Sequence, residues 1–190
     1  MMTTVTIYHN VEHDCWVCRQ PVIRLGAGEW AHLHQGADHM PAAAFPAGRF
    51  GYQPGHAMVP VFRADVTDGR APEAVAQRIA GALDPVPAVL GSEDRGLASD
   101  YRSLRLRPLV AGDVIDVGGT LLAKARSGFA PVTGKIRLSW VAWPGTVPLP
   151  HCARCHAIAG PAELEALNMA GGLACRDVVA CADRANAPRG

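Results

Sequence analysis

Aromatic side chains are scarce in this chain, at 6% of 190 residues. Ala, Val and Leu must therefore do most of the filling of any core, within an apolar fraction of 49%. Lysine is rarer still. Of the eighteen basic residues all but Lys124 and Lys135 are Arg, a bias that reads as GC-rich coding before it reads as function. No sign of charge dominates: the formal net charge is +1, too small for a global field that would favour nucleic acid or membrane. No apolar run approaches the roughly 18 residues a membrane span needs. The opening "MMTTVTIYHNVEHD" has neither the basic nor the apolar region of a secretory signal. The expected setting is the cytoplasm, with no membrane partner, where disulfides are disfavoured. Neither Gly-x-x-x-x-Gly-Lys nor Gly-x-Gly-x-x-Gly occurs, so no phosphate cradle is expected.

Cysteine is present, and its placement is informative. Six thiols in a reducing compartment call for metal, catalysis or burial. Cys15 and Cys18 form one Cys-x-x-Cys, Cys152 and Cys155 a second, and Cys175 and Cys181 follow the second. "LPHCARCHAIAG" also spells the covalent haem signature, with His156 as axial ligand and Met169 downstream. Haem attachment belongs outside the cytoplasm, and it would leave Cys175 and Cys181 unused. The set Cys152, Cys155, Cys175 and Cys181 is complete for tetrahedral Zn²⁺, since four soft thiolates leave no open position. The five residues between Cys175 and Cys181 depart from the usual two, which keeps His151 and His156 as substitutes. Buried thiols or a local disulfide are the bland alternative.

The first cluster is "HDCWVCRQPVIRLGAGEWAHLHQGADHM". "PVIRL" reads as a strand, "GAG" as a turn and "EWAHLH" as the return strand, on which Trp30, His32 and His34 share a face. A Cys₂His₂ set of Cys15, Cys18, His32 and His39 suits a second zinc ion. His34 is the spare, and His9 and His13 are weaker candidates. Hairpins this small bury too little to fold alone, and structural zinc supplies roughly 10–16 kcal/mol apparent at neutral pH.

Along the rest of the chain "TTVTIYHN" alternates as a strand. "HAMVPVFRADV" is another, with Pro60 marking an edge or a bulge. "TDGRAPEAVAQRIAGAL" reads as a helix with Pro72 in its first turn and Val75, Ile79 and Leu83 on one face. Residues 84–100 read as loop with one or two turns. Val114 to Val117, the Gly118-Gly119 pair and the apolar run from Leu121 form a hairpin signal. Gly134 to Trp143 reads as a strand, and "PGTVPLP" as a stiff linker. In the gap between Cys155 and Cys175 a short helix is expected near Pro161, then a turn at Gly171-Gly172.

Enzyme chemistry is weakly encoded. A redox Cys-x-x-Cys should open a helix, whereas Pro21 and a β-rich stretch follow Cys18. A zinc deaminase needs His-x-Glu, but Met58 stands where the Glu after His56 would be. A three-ligand catalytic zinc at the histidine-rich site, with Glu12, Asp14 or Glu29 as base, is the alternative function, of hydrolase or deaminase-like type. Residues 101–137 carry Arg102, Arg105, Arg107, Lys124, Arg126, Lys135 and Arg137 against Asp113 and Asp116. A nucleic-acid contact through Arg102, Arg105, Arg107 and Arg126 is one reading, and a solvated face is the other.

"VTIYHN", "GYQPGHAMVPVF" and "RSLRLRPLVAGDVIDVGGTLLAKARSGFAPV" together resemble a family of small uncharacterised proteins of actinobacteria and their phages or plasmids. That family pairs a "VYHN" strand with "GYQPGH-LVPVF", a helix and an "RSLSVGDVV" hairpin. The resemblance implies that residues 11–49 are an insertion and that the C-terminal cysteines are an addition. It supplies no catalytic residues. The expected fold is α+β: a small mixed or antiparallel sheet with one main helix from residues 1–10 and 50–148, plus two zinc-knuckle modules. One module is inserted at 11–49 and one is C-terminal at 149–190. The expected function is that of a zinc-stabilised, non-enzymatic interaction protein of phage or mobile-element type, binding protein or nucleic acid.

Overall fold

Strand and helix propensities account for most of the observed elements, and pairing accounts for the rest. The computed structural model describes residues 2–11, 22–24, 30–32, 52–84, 90–140, 148–158, 163–167 and 172–186. The chain divides into two compact units, Met1–Pro148 and Leu149–Gly190.

In the first unit β1 (Met2–Asn10) is central, and Val5 through Asn10 are all buried. Its alternation sends Val5 and Ile7 into one apolar cluster and Tyr8 into another on the opposite face. Two short strands, β2 (Val22–Arg24) and β3 (Trp30–His32), pair antiparallel with Val22 opposite His32. They lie within the hairpin read from the sequence. The partner of β1 is β4 (Ala57–Thr67), in register from Met2↔Thr67 to Asn10↔Met58. Ile7 faces Phe62 but Tyr8 faces Pro60, so Val61 is the extra residue of a bulge. Pro60, which lacks an N–H for the ladder, sits at this irregularity.

Helix α1 (Pro72–Ala82) buries Val75, Ala76, Ile79 and Ala82 against the sheet. Helix α2 (Ser92–Ser103) buries Leu97, Ala98 and Tyr101. This corrects the expectation of one main helix with loop at 84–100. Three apolar residues and a mid-helix Gly96 give α2 too narrow a stripe to be read locally. It is fastened by tertiary contacts: Arg78 of α1 meets Glu93 at 3.0 Å and Asp94 at 2.8 Å in the first turn of α2.

The hairpin of β5 (Val114–Val117) and β6 (Thr120–Lys124) closes through Gly118 and Gly119, both at positive φ. That is the requirement of a tight hairpin turn matching strand twist. Strand β7 (Phe129–Pro131) pairs with β6. Among the described residues strand β8 is Arg137–Leu138, parallel to the start of β4 and shorter than the strand expected from Gly134 to Trp143, whose last three residues lie outside the described ones. The apolar pattern there packs Ile136 against the second face of the sheet instead of extending the ladder. The six-stranded sheet runs β7-β6-β5-β1-β4-β8 and is mixed, with only the β4–β8 pair parallel. The α+β class is as expected.

The second unit contains β9 (Leu164–Leu167), β10 (Gly172–Cys175) and α3 (Val178–Asn186). The expected start of a short helix, near Pro161, lies outside the described residues; Leu164–Leu167 instead form one strand of the antiparallel pair, in register from Gly172↔Leu167 to Cys175↔Leu164. "AELEAL" has helical propensity, but pairing buries Leu164 beside Ala174 and Cys175, and burial outweighs so weak a prior. Among the described residues no helix is long and apolar enough to cross a membrane.

Candidate metal centre

The Cys152-x-x-Cys155 segment makes a turn closed by His156 N–H donating to Cys152 O at 2.9 Å. His156 adopts φ 58°, a left-handed conformation that His tolerates better than most residues. Ala153 N–H donates to Leu173 O at 2.7 Å, which ties the turn to β10. Cys175 ends β10. Asp177 then caps α3, its Oδ1 accepting from Ala180 N–H at 2.9 Å, and Cys181 lies in the first turns of that helix. The long spacing between Cys175 and Cys181 is thus the length of a strand end, a capping residue and a helical turn.

These elements bring all four thiols together. Cys152 Sγ lies 3.6 Å from Cys181 Sγ, Cys155 Sγ lies 3.7 Å from Cys175 Sγ, and all four sulfurs are within 4.8 Å of one another. A disulfide needs about 2.05 Å, so these are free thiols. A tetrahedron with metal–sulfur bonds of about 2.3 Å has edges of about 3.8 Å. The cluster can therefore hold a metal ion. His151 and His156 stack on each other, with centroids 6.2 Å apart, and lie outside the four-sulfur set. The haem spelling would engage only two of the thiols that converge here.

The electrostatics of the site are uneven. Burial opposes ionisation of Cys152, but amide N–H groups of Cys155, Arg154 and Cys175 outweigh it and bring the thiol to about 6. Burial likewise opposes ionisation of Cys155, yet the Ala157 amide and the Arg184 guanidinium hold it low. Burial pushes Cys175 up. Burial and then the neighbouring sulfurs push Cys181 to about 12. Without a cation the four cannot all be thiolates. A bound metal displaces the protons and resolves the conflict.

The other sequence-derived candidates fall differently. His32 ends β3, while Cys15, Cys18 and His39 lie outside the described residues. Arg102, Arg105 and Arg126 are exposed. Arg107 is drawn inward: its terminal nitrogens donate to both carboxylate oxygens of fully buried Asp113, at 2.7 and 2.6 Å. That carboxylate also accepts from Asn10 N–H at 2.9 Å and Val110 N–H at 2.8 Å.

The pair belongs to a buried network that sequence reading missed. His9 Nε2 meets the Tyr101 hydroxyl at 2.7 Å, and that hydroxyl donates to Arg107 O at 2.6 Å. Asn10 Nδ2 reaches Gly112 O at 3.2 Å and His56 Nδ1 at 2.8 Å. Residues of "VTIYHN", "GYQPGHAMVPVF" and "RSLRLRPLVAGDV" therefore meet in one hydrogen-bonded cluster. The available signal was the strongly polar pair His9-Asn10 at the end of a strand otherwise built of Thr and apolar residues.

No protein-family profile, no curated protein and no solved structure matches this chain.

Proposed function

We propose that Cys152, Cys155, Cys175 and Cys181 hold a structural zinc ion and that the protein is a non-enzymatic, zinc-stabilised interaction protein. The observation that carries this reading is the make-up of the second unit's core. Among the described residues its buried cluster is Cys152, Leu164, Ala174, Cys175 and Cys181, so sulfur stands where a unit of this size would need apolar side chains. Four thiolates are a closed set, which suits structure and leaves no position for substrate. They also suit zinc over harder cations, because thiolate is a soft donor. Membership in the actinobacterial and phage family, and a second ion held by Cys15, Cys18, His32 and His39, belong to the same proposal. Those two are supported by the sequence pattern.

Elemental analysis of purified full-length protein tests it. About two zinc ions per chain are expected from two four-ligand sets. One should be lost in Cys175→Ser and one in Cys15→Ser. A folded chain that carries no zinc, with Cys152, Cys155, Cys175 and Cys181 freely reactive, would overturn the reading.

A further inference from the structure

Helix α3 contributes a cation as well as a sulfur to the cluster. Cys181 and Arg184 are three positions apart and so share a helix face. The Arg184 terminal nitrogen donates to Cys175 Sγ at 3.2 Å, and its guanidinium lies near enough to Cys155 to favour that thiolate. Cys155 is the least covered of the four ligands. Cys152, Cys175 and Cys181 are at most 5% exposed, whereas Cys155 is half-buried. A divalent ion with four thiolates carries surplus negative charge, and a guanidinium hydrogen-bonded to Cys175 Sγ offsets part of it.

We infer that Arg184 is the outer positioning cation of the metal centre, holding Cys175 in place and setting a positive charge beside Cys155, the least buried of the four ligands. This rests on the zinc reading above. The planar guanidinium presents several donors in a fixed fork, which a lysine ammonium does not, so the two cations are not equivalent here. Removing the group leaves all four ligands intact, and the effect is confined to how tightly and how durably they hold the ion.

The test uses the full chain, with cobalt(II) as a spectroscopic probe and zinc competed against a chelator. Arg184→Gln should keep the sulfur-to-cobalt charge-transfer bands of a four-thiolate site. It should also lower zinc affinity about 10–100-fold, the range typical of lost outer-shell partners, and speed zinc release. Arg184→Lys should recover part of the loss. Zinc affinity and release in Arg184→Gln within about twofold of the unaltered chain, against the loss expected, would overturn the inference and leave the zinc reading standing. Equal weakening in Arg184→Lys and Arg184→Gln would overturn the charge role. Absence of thiolate bands in the unaltered chain would overturn the zinc reading and this inference with it.

Discussion

His9 is held neutral by its surroundings. Burial is the largest cause, the Arg107 cation the next, and Asp113 opposes both, with the outcome that the imidazole falls from 6.5 to about 3. The proton's position follows from donor count. Tyr101 has a single hydroxyl hydrogen and gives it to Arg107 O, so His9 Nε2 must be the donor to Tyr101. The unfolded chain binds a proton at His9 near pH 6.5, and the folded chain does not until about pH 3. This contribution to stability is complete above about 6.5 and is lost as pH falls toward 3, by about 1.4 kcal/mol per pH unit for one proton. Asp113 acts in the same direction at the acid end. Burial alone would raise its carboxyl, but Arg107 holds it below the usual range, so its stabilisation is lost as pH falls through that range. Hydrogen exchange at β1 and β5 amides, followed between pH 7 and pH 4, separates this from acid release of metal. His9→Gln keeps a donor for Tyr101 and cannot titrate, so its profile should be shallower by about one proton. Equal slopes in the two proteins would refute the assignment.

Glycines show how position decides the sign of a substitution at the scale of elements. Gly118, in the turn between β5 and β6, has φ 58°, and a Cβ there would meet Thr3 Cγ2 at 3.3 Å. Gly118→Val therefore combines left-handed backbone strain with a crowded β-branched side chain, at a cost of about 1–2 kcal/mol or more. Gly81, in α1, has helical backbone and open space where a methyl group would sit. Gly81→Ala should stabilise by about 0.4–1 kcal/mol, mainly by restricting the unfolded chain. Urea titration of the two variants should move the midpoint in opposite directions, and a shared direction would count against the turn assignment. The same contrast explains which elements were readable. The β5–β6 turn and α1 are written in local chemistry: a Gly-Gly pair, a first-turn Pro, and apolar residues three and four apart. Helix α2 and the β9–β10 pair are held by partners distant in sequence, Arg78 for one and the knuckle backbone for the other.

The two units differ in what holds them together. The first has a conventional core of Val5, Ile7, Val59, Ile79, Ile115 and Leu122. Among the described residues the core of the second is largely its own cysteines. Excess chelator at neutral pH should abolish hydrogen-exchange protection at β10 and α3 while leaving β1 and β4 protected. Restoring zinc should restore the lost protection. If β10 and α3 stayed protected with the metal removed, coordination would not be substituting for apolar burial. Such two-state dependence on metal is expected where binding supplies the folding free energy.

By itself the sequence determined the α+β class, strands at Thr3–Asn10 and Met58–Val66, an edge or bulge at Pro60, and Cys152, Cys155, Cys175 and Cys181 as one thiol set. Each is legible because it depends on local periodicity or on a donor type with few other uses. Only the tertiary structure decided that the long Cys175–Cys181 spacing spans a strand end and a capped helical turn, and that Arg184 lies over the sulfurs. It also turned Arg107 from a surface charge into the partner of buried Asp113. These depend on groups far apart in the chain meeting where water is excluded. There the cost of an unpaired charge fixes its partner, and no local pattern records that choice.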